Sequence, residues 1–402
     1  MEKYEERTEF RQSLEEIIRA GAQKMLQQAV ENEVEEFMKQ FCDIRDEQGH
    51  RRVTRNGYLP EREIQTGVGP LKVKKPRVKG EAFTSAILPR YMRRTPSIDA
   101  LIPALYLKGV STGSMSEALS AILGEHAKGL SATNISRLTQ CWEEEYKEWC
   151  KRDLSDKEYV YFWVDGIYFN VRLTDDRPCS LVVIGALSNG KKEMVAIHDG
   201  ERESKLSWKT VLQDLKSRGL KTSPKLSIGD GALGFWAALE EEFPECRHQR
   251  CWVHKTANIL DKMPKSVQVD AKRMVHDMYM APTKKDGLKA MDDFISLYEA
   301  KYPKACQCLE KDKDQLFSFY DYPAEHWQHI RTTNPIESTF ATIRHRSRQT
   351  KGCGSRTATL SMVFKLSMSA ESHWRKLRGK EKIIKVMNGI VFKDGEEIEA
   401  AA

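Results

Sequence analysis

The segment EYVYFWVDGIYFNVRL (158–173) decides the fold, because β-branched and aromatic residues fill it over a length that suits a buried strand. Two further apolar runs follow, SLVVIGALSN (180–189) and EMVAIHDG (193–200), with short polar segments between the runs. Short connections join antiparallel strands, whereas parallel neighbours need a crossover of about a dozen residues or more. The sequence therefore predicts a three-stranded antiparallel meander.

Helices and strands alternate after the meander. SWKTVLQDLKSRG (207–219) and GFWAALEEEF (234–243) have helical patterns, and KLSIGD (225–230) and CRHQRCWV (246–253) have strand patterns. Strands that are reached through helices pair in parallel. The predicted fold class is therefore mixed α/β, with a mixed sheet flanked by helices.

A long helical region follows this α/β pattern. From Lys255 to about Trp327 apolar residues recur at helical spacing, and no strand-like run interrupts them. Helical patterns resume at 334–350 and 355–378. We expect an α-helical insertion inside the α/β domain.

The region before residue 157 is predicted to be mainly helical. Residues 8–42 carry one apolar stripe, typical of a long helix that needs a partner surface, and both dimerisation and docking on its own chain are open. Residues 43–58 are interpreted as a basic loop. Residues 61–79 alternate β-formers with charges around Gly67 and Gly69, which predicts a hairpin.

Three shorter helices are predicted between this hairpin and the α/β domain. Their spacing is typical of a helix-turn-helix module, although a plain helical linker has the same pattern. In the first case Asn134 and Arg137 would lie near the start of the recognition helix and contact DNA. The three predicted segments are 97–108, 114–123 and one that begins at Ser131 as its N-cap.

Charge is unevenly distributed along the chain. The net charge is +7, yet residues 51–80 hold nine Lys or Arg against two Glu, and residues 331–380 hold eleven against two. Such local basic density favours a nucleic-acid partner over a solvated basic surface. The candidate DNA-binding residues are Lys72, Lys74, Lys75, Arg77, Arg331, Arg344, Arg346, Arg348 and Lys351, with Trp327 as a base-stacking candidate.

Composition also limits the class of protein. Hydrophobic residues make up 40% of the 402 residues, enough for a packed core, and no run of 18 apolar residues predicts a membrane span. Nine scattered cysteines without a CxxC pair favour reduced thiols over a disulfide framework. The charged N-terminus is unlike a signal peptide. We expect a cytoplasmic, nucleoid-associated protein without a membrane partner.

Three carboxylates stand at positions suited to metal binding. Asp165 ends the apolar run YVYFWV, Asp230 ends KLSIG, and Glu337 follows Asn334, the predicted N-cap, and Pro335, the predicted first residue of a helix. Carboxylates from neighbouring strand ends and a nearby helix can hold two divalent cations. Each also has a structural interpretation, as an Asp-Gly turn or as a capping acid. Spacing alone does not choose between these interpretations.

Cysteine and histidine also cluster, with a CxxH pair at Cys251 and His254 and further candidates at Cys246 and His248. Four possible zinc ligands within nine residues are a real signal. The ligands crowd onto one predicted strand and its exit, however, whereas zinc sites usually join two separated pairs. The pattern is at least as compatible with a structural histidine in the core at position 254 as with a zinc ligand there.

The motifs resemble those of Mutator-like transposases of bacterial insertion sequences. The matching segments run in order along most of the chain: RNGYLPERE (55–63), LYLKGVST (105–112), VDGIYFNVR (164–172), GDGALGFWAAL (229–239), RCWVHKTANIL (250–260) and RTTNPIESTFATIRHRSRQTKGC (331–353). The resemblance implies a ribonuclease H-like catalytic domain with Asp165, Asp230 and Glu337 as its catalytic DDE triad. Cys251 and His254 would organise the site, and Asn334 would place Glu337.

The resemblance also implies the chemistry and the partners. Two Mg²⁺ ions, with Mn²⁺ as a substitute, would support cleavage and strand transfer on double-stranded DNA, at terminal inverted repeats and at a target. A homodimer is expected. The alternatives are a catalytically silent DNA-binding regulator and a ribonuclease H-like nuclease.

The predicted domain organisation has five parts. They are a helical dimerisation region (1–50), a DNA-binding region with the hairpin and the three helices (51–155), the ribonuclease H-like catalytic domain (156–254 and 331–380), the helical insertion (255–330) and a C-terminal tail (381–402).

Overall fold

The computed structural model describes residues 2–110, 114–123, 132–168, 179–200, 202–231, 233–349 and 355–398. For residues 2–13, 123, 132–139 and 347–349 it describes the backbone alone. The chain forms two compact units, residues 1–138 and 139–402.

The first unit is built on one long helix and four short strands. Helix α1 (Glu2–Lys39) confirms the predicted helix, and the buried Val30 on it packs with Ile64, Val73 and Leu88. Dimerisation and docking on the same chain were both open for the apolar stripe. The C-terminal part of the stripe docks on its own chain. The strands are β1 (Thr54–Tyr58), β2 (Arg62–Thr66), β3 (Gly69–Val73) and β4 (Pro76–Lys79).

The strand pairing confirms one prediction and corrects another. Strands β2 and β3 form the predicted hairpin. The interpretation of 43–58 as a loop is wrong for its last five residues, because β1 pairs with β4 in antiparallel orientation. All five residues of β1 are exposed, so no apolar alternation marks this strand in the sequence.

Three helices complete this part of the chain, as predicted. Ile98 and Ile102 of α2 share a small core with Met115 and Leu119 of α3. Ser131, the predicted N-cap, lies outside the described residues, and the helix-turn-helix stays a prediction. The helices are α2 (Pro96–Leu107), α3 (Met115–Leu123) and α4 (Ala132–Cys150), which crosses the boundary between the units.

A five-stranded mixed sheet forms the centre of the second unit, in the strand order β7-β6-β5-β8-β9. The first three strands along the chain are an antiparallel meander, and the two strands reached through helices lie parallel to β5 and to each other. The mixed α/β prediction is confirmed. The strands are β5 (Tyr159–Tyr168), β6 (Cys179–Leu187), β7 (Lys192–Gly200), β8 (Leu226–Gly229) and β9 (Arg247–Arg250), and the connecting helices are α5 (Lys205–Ser217) and α6 (Leu233–Glu242).

The two faces of β5 carry different contacts, because side chains alternate along a strand. Phe162 and Val164 pack into the core formed with α5 and α6. On the opposite face the Tyr161 hydroxyl lies 2.7 Å from His326 Nδ1, and Trp163 Nε1 donates to the carbonyl of His329 at 2.9 Å. Asp165 continues this second face.

The region between β9 and residue 333 contains only helices and turns, and every residue in it is described. It begins beside the sheet, where Lys255, only 2% exposed, is paired with Asp312, and Arg250 Nη2 lies 3.4 Å from the same carboxylate. The elements are α7 (Trp252–Leu260), α8 (Lys265–Met280), α9 (Lys284–Tyr298), α10 (Pro303–Glu310), α11 (Lys313–Leu316), a 3₁₀ turn (Ser318–Asp321) and α12 (Ala324–Ile330).

Two helices and a small hairpin complete the second unit. Helix α13 contacts β5 and α14 contacts β7. Phe392 and Val386 are buried in the segment predicted as a tail. The elements are α13 (Asn334–Gln349), α14 (Arg356–Glu371), a 3₁₀ turn (Lys380–Lys382), α15 (Ile383–Met387), β10 (Phe392–Lys393) and β11 (Glu396–Glu397).

The remaining general predictions concern thiols and membranes. Eight cysteines are free thiols, as predicted, and the ninth, Cys353, lies outside the described residues. Among the helices of the described residues, none is both long and apolar enough to cross a membrane.

Candidate active site

Strand register brings Asp165 and Asp230 together. Strands β5 and β8 pair in parallel, and the last pair in the register is Trp163 opposite Ile228. Asp165 and Asp230 each follow two residues later, and the charge of Asp230 acts on Asp165. Asp165 lies within β5 rather than at its end, since it pairs with Val182 of β6. The Asp-Gly hairpin alternative at position 165 is therefore wrong, because a turn there is incompatible with continued strand pairing.

Asp165 is a buried carboxylate, 7% exposed. Its Oδ1 accepts a hydrogen bond from the backbone N–H of Gly166 at 2.8 Å. Burial, and next the negative charge of Asp230, raise the pKa of Asp165 to about 7. Two neighbouring carboxylates in a poorly solvated place repel each other, so a cation between them would stabilise both in the ionised form.

Glu337 lies in the first turn of α13 and is held by Thr333. The backbone N–H of Glu337 donates to the Thr333 carbonyl at 3.0 Å, and the Thr333 hydroxyl donates to Glu337 Oε1 at 2.9 Å. The prediction of Asn334 as the helix cap is wrong by one residue, because α13 already begins at the exposed Asn334 and Thr333 has the N-cap position.

Cys251 and His254 complete this side of the site. Gly229 pairs with Arg250, so Cys251 follows β9 at the level of Asp230, and its N–H donates to the Gly229 carbonyl at 2.8 Å. One turn into α7, His254 Nδ1 lies 3.9 Å from Glu337 Oε1.

Thr333 links these groups into one network. Its Oγ1 lies 3.3 Å from Cys251 Sγ and 3.4 Å from His254 Nδ1, in addition to its hydrogen bond to Glu337. A hydroxyl has a single proton, and the shortest and charge-assisted contact, to the carboxylate, takes it. A lone pair of the hydroxyl can then accept from His254, and Cys251 Sγ accepts from the backbone N–H of Thr333 at 3.3 Å. Thr333 thus contacts all three side chains.

His254 carries the positive charge of this network. Its hydrogen bond with the Cys251 side chain, and the negative charges of Cys251, Asp165 and Glu337, raise the pKa of His254 to about 9 against the opposing effect of burial. An imidazolium at neutral pH beside the acids offsets part of their mutual repulsion.

The ligand atoms of Cys251, His254 and Glu337 all lie within 4.8 Å of one another, so these three could also hold a metal ion. The four-residue cluster considered for zinc does not assemble. Cys246 Sγ lies 3.1 Å from Ser227 Oγ, and the His248 ring stacks on Trp236 at 4.6 Å. A strand sends neighbouring side chains to opposite faces, which separates these residues from the CxxH pair.

Thr333 and Glu203 are site residues that the sequence did not indicate. The sequence feature that could have indicated Thr333 is its i, i+4 spacing from Glu337 at the start of a predicted helix, because residues at this spacing can contact each other. Glu203 precedes α5, and burial and then the charges of Asp230 and Asp165 raise its pKa to about 7. No local pattern distinguishes this glutamate from the other acidic residues.

The basic residues near Glu337 have different environments. Arg344 is exposed, and its charge acts to lower the pKa of Asp165. Arg331 Nη1 donates to the Tyr279 carbonyl at 2.9 Å, and Arg346 is only 1% exposed. The side chain of Arg348 and all of Lys351 lie outside the described residues, and DNA contact by this set stays a prediction.

Trp327 is integrated into the helical insertion. Its Nε1 donates to the Tyr322 carbonyl at 2.8 Å, and its ring packs edge-on against Tyr320, with 4.8 Å between ring centroids. This packing gives the tryptophan a structural role, and base stacking stays a prediction.

The basic residues of the first unit also have different environments. Lys72 and Lys74 lie 3.9 and 3.8 Å from Glu61, and Arg77 is exposed. Lys75 is half-buried over the ring of Phe83, and burial lowers its pKa. The side chains of Asn134 and Arg137 lie outside the described residues.

Thr333→Val tests the network, because valine keeps the shape and removes the hydroxyl. We expect turnover of any reaction at this site to fall by about 10–100-fold, as is typical when a group that orients a metal ligand is lost. Thr333→Ser keeps the hydroxyl and should retain most of the activity. Equal activity of the valine variant and the wild type would exclude a positioning role for Thr333.

Comparison with known proteins identifies the family. A family model described as "Transposase, Mutator family" matches residues 2–377. The chain belongs to the Mutator family of transposases. All the residues discussed above as site residues fall within the matched range.

Individual transposases show the same relationship. The chain is 49% identical over 288 residues to the transposase for insertion sequence element IST2 of Acidithiobacillus ferrooxidans, covering 70% of this chain and 95% of that protein. It is 48% identical over 299 residues to the transposase for IS6120 of Mycolicibacterium smegmatis, covering 74% and 92%. It is 29% identical over 356 residues to the transposase for IS256 in transposon Tn4001 of Staphylococcus aureus, covering 86% and 88%.

Proposed function

We propose that this member of the Mutator family is a DDE transposase that binds the terminal inverted repeats of an insertion sequence and catalyses DNA cleavage and strand transfer. Asp165, Asp230 and Glu337 are its catalytic residues. The observation that carries the proposal is the parallel pairing of β5 and β8, together with the electrostatic effect of Asp230 on Asp165, although the two aspartates come from distant parts of the sequence.

The fold supports the proposal. The ribonuclease H-like domain implied by the motifs is part of this proposal, and a mixed sheet with the order β7-β6-β5-β8-β9, antiparallel in its first three strands and parallel in the others, is compatible with it. The helical insertion lies between β9 and the helix that carries Glu337. The third acid therefore comes from a part of the chain that only the folded unit brings to the sheet.

The donor set fits divalent cations. Asp165 is buried with its pKa raised by burial and by Asp230, so the metal-free site holds a repulsion that a cation would relieve. Two Mg²⁺ ions, or Mn²⁺ in their place, would be held by Asp165, Asp230 and Glu337 and would stabilise negative charge on the attacking and leaving oxygens.

The remaining steps follow from in-line displacement at phosphorus. Water attacks the phosphodiester at the transposon end, the P–O3′ bond breaks, and a 3′-hydroxyl is released. That hydroxyl then attacks a target phosphodiester and forms a new bond to its phosphorus while the target P–O3′ bond breaks. Thr333 orients Glu337, His254 contributes positive charge, and the exposed Arg344 is suited to contact a phosphate.

The direct test uses the DNA that flanks the gene. Purified protein is incubated with fragments carrying the inverted repeats and with a target plasmid, in Mg²⁺ or in EDTA. We expect metal-dependent nicks at the repeat ends and joined products. Nicks without joining would favour the ribonuclease H-like nuclease, and binding without nicks would favour the silent regulator.

We also propose that the transposase acts as a homodimer through the part of α1 that precedes Leu26. Leu14, Ile17, Ile18 and Met25 are 47–71% exposed and recur at helical spacing, whereas the following turns of the helix dock on their own chain. A second copy offers the same stripe, so two stripes can cover each other.

Ile17→Glu with Ile18→Glu tests this contact. We expect the molar mass measured by light scattering to fall from that of a dimer to that of a monomer, because burying two unpaired charges at the contact costs free energy. Glu16→Gln, on the same turn, should leave the mass unchanged. A wild-type chain that is monomeric at micromolar concentration would contradict the proposal.

A further inference from the structure

Glu203 is held at the start of α5 by its own backbone. The next residue, Ser204, caps α5 by accepting a hydrogen bond from the Ser207 N–H at 3.1 Å. A side-chain Cβ at Gly234 would lie 2.6 Å from the Glu203 carbonyl oxygen, so α6 packs directly on this segment. The backbone position of Glu203 is therefore fixed by two helices.

The carboxylate of Glu203 extends from this position to the strand that carries Asp165. A Cβ at Gly166 would lie only 2.4 Å from Glu203 Oε1 and 2.5 Å from its Cδ. Glycine at 166 thus leaves the space that the carboxylate fills, directly beside the backbone of the residue after Asp165. No other residue type fits at 166 unless Glu203 moves.

The charges around Glu203 are mainly those of other acids. The carboxylates of Asp230 and Asp165 both act on it, and it is half-buried. Among the residues that the structure describes, no Lys or Arg lies within 4.0 Å of its carboxylate. The positive charge of His254 and a hydrogen bond with the Tyr168 side chain act in the opposite direction and lower the pKa of Glu203. Three carboxylates outnumber this one imidazolium, so a cation from outside the chain would relieve the repulsion that remains.

We propose that Glu203 is a fourth carboxylate of the divalent-cation site and contacts the cation beside Asp165 and Asp230. This inference rests on the proposed function, because it assigns a further residue to the same site. It assigns to Gly166 the role of giving Glu203 access to the site, which a larger residue would block.

Manganese binding to the full chain without DNA is the test, measured by calorimetry or by the loss of the free Mn²⁺ paramagnetic resonance signal. Glu203→Gln keeps the shape of the side chain and removes the charge. We expect its Mn²⁺ affinity to fall by at least about tenfold. Glu240→Gln, an exposed acid on α6, is the matched control and should bind like the wild type.

Thermal unfolding separates this role from a purely structural one. Without metal, Glu203→Gln should unfold at the same or a higher temperature than the wild type, because one repelling charge is removed. A lower unfolding temperature together with wild-type Mn²⁺ affinity would overturn the proposal. Glu203→Asp keeps the charge on a shorter side chain and should give an intermediate affinity.

The two proposals fail differently. If Asp165→Asn and Asp230→Asn lose Mn²⁺ binding while Glu203→Gln binds within about twofold of the wild type, Glu203 is not a ligand and the proposed DDE site stands. If none of these variants changes Mn²⁺ binding, both proposals are wrong.

Discussion

Asp165→Asn, Asp230→Asn and Glu337→Gln should each reduce DNA cleavage and strand transfer by at least about a thousandfold, since the lost metal ligation stabilises the transition state by several kcal/mol. Each change keeps nearly the same shape and removes one negative charge. The three residues come from β5, the end of β8 and the first turn of α13, so an effect shared by all three would locate the reaction at their meeting point.

Binding to the terminal repeats should survive in these variants, because the candidate DNA-binding residues are other side chains. Fluorescence anisotropy with a labelled repeat would measure the affinity beside the cleavage assay. Asp277→Asn, an exposed aspartate on α8, is the control and should cleave normally. Strand transfer at the wild-type rate by any triad variant would remove that residue from the site.

Asp312→Ala should destabilise the second unit by about 3–5 kcal/mol, because it leaves a buried positive charge without its partner. Lys255 is almost fully buried and paired with Asp312, and Arg250 lies close to the same carboxylate. A loss of this size lowers the unfolding temperature by about 2–4 °C for each kcal/mol.

This ionic group also links the insertion to the active site. Arg250 Nη1 donates to the Gly231 carbonyl at 2.9 Å, directly after Asp230. Asp312→Ala should therefore also lower activity at temperatures where the unit is still folded. Glu148→Ala, which breaks the exposed ion pair with Lys151, is the control and should cost less than about 1 kcal/mol. Equal stability of both variants would contradict the structural role of Asp312.

The sheet could be predicted from the sequence because connection lengths constrain strand direction. The short connections between the three runs from residue 158 to residue 200 favoured a meander, and the helices before β8 and β9 favoured parallel pairing. Strand β1 was not predicted, because all of its residues are exposed and its pairing with β4 therefore produces no alternation of apolar residues.

The site was less predictable, since its geometry depends on contacts between distant segments. The family motifs indicated the three acids, but the alignment of Asp165 with Asp230 follows from the register of β5 and β8. Glu203 is placed by the packing of α5 and α6 and by the space at Gly166, which no local pattern encodes.

Arg346 is a charged residue on a buried helix face, and DNA contact by it stays a prediction. It follows Thr339 and Ile343 at i+7 and i+3, and all three are buried, so helical spacing already assigned the arginine to the inner face of α13. Burial at this position thus follows the helix face and not the residue type.

The most direct measurement is strand transfer by Asp230→Cys in Mg²⁺ and in Mn²⁺. A thiolate is a poor ligand for the hard Mg²⁺ ion and a better one for Mn²⁺. If Asp230 binds the catalytic metal, the variant should be inactive in Mg²⁺ and recover activity in Mn²⁺, while the wild type works in both. Wild-type activity of Asp230→Cys in Mg²⁺ would contradict a metal-binding role for Asp230.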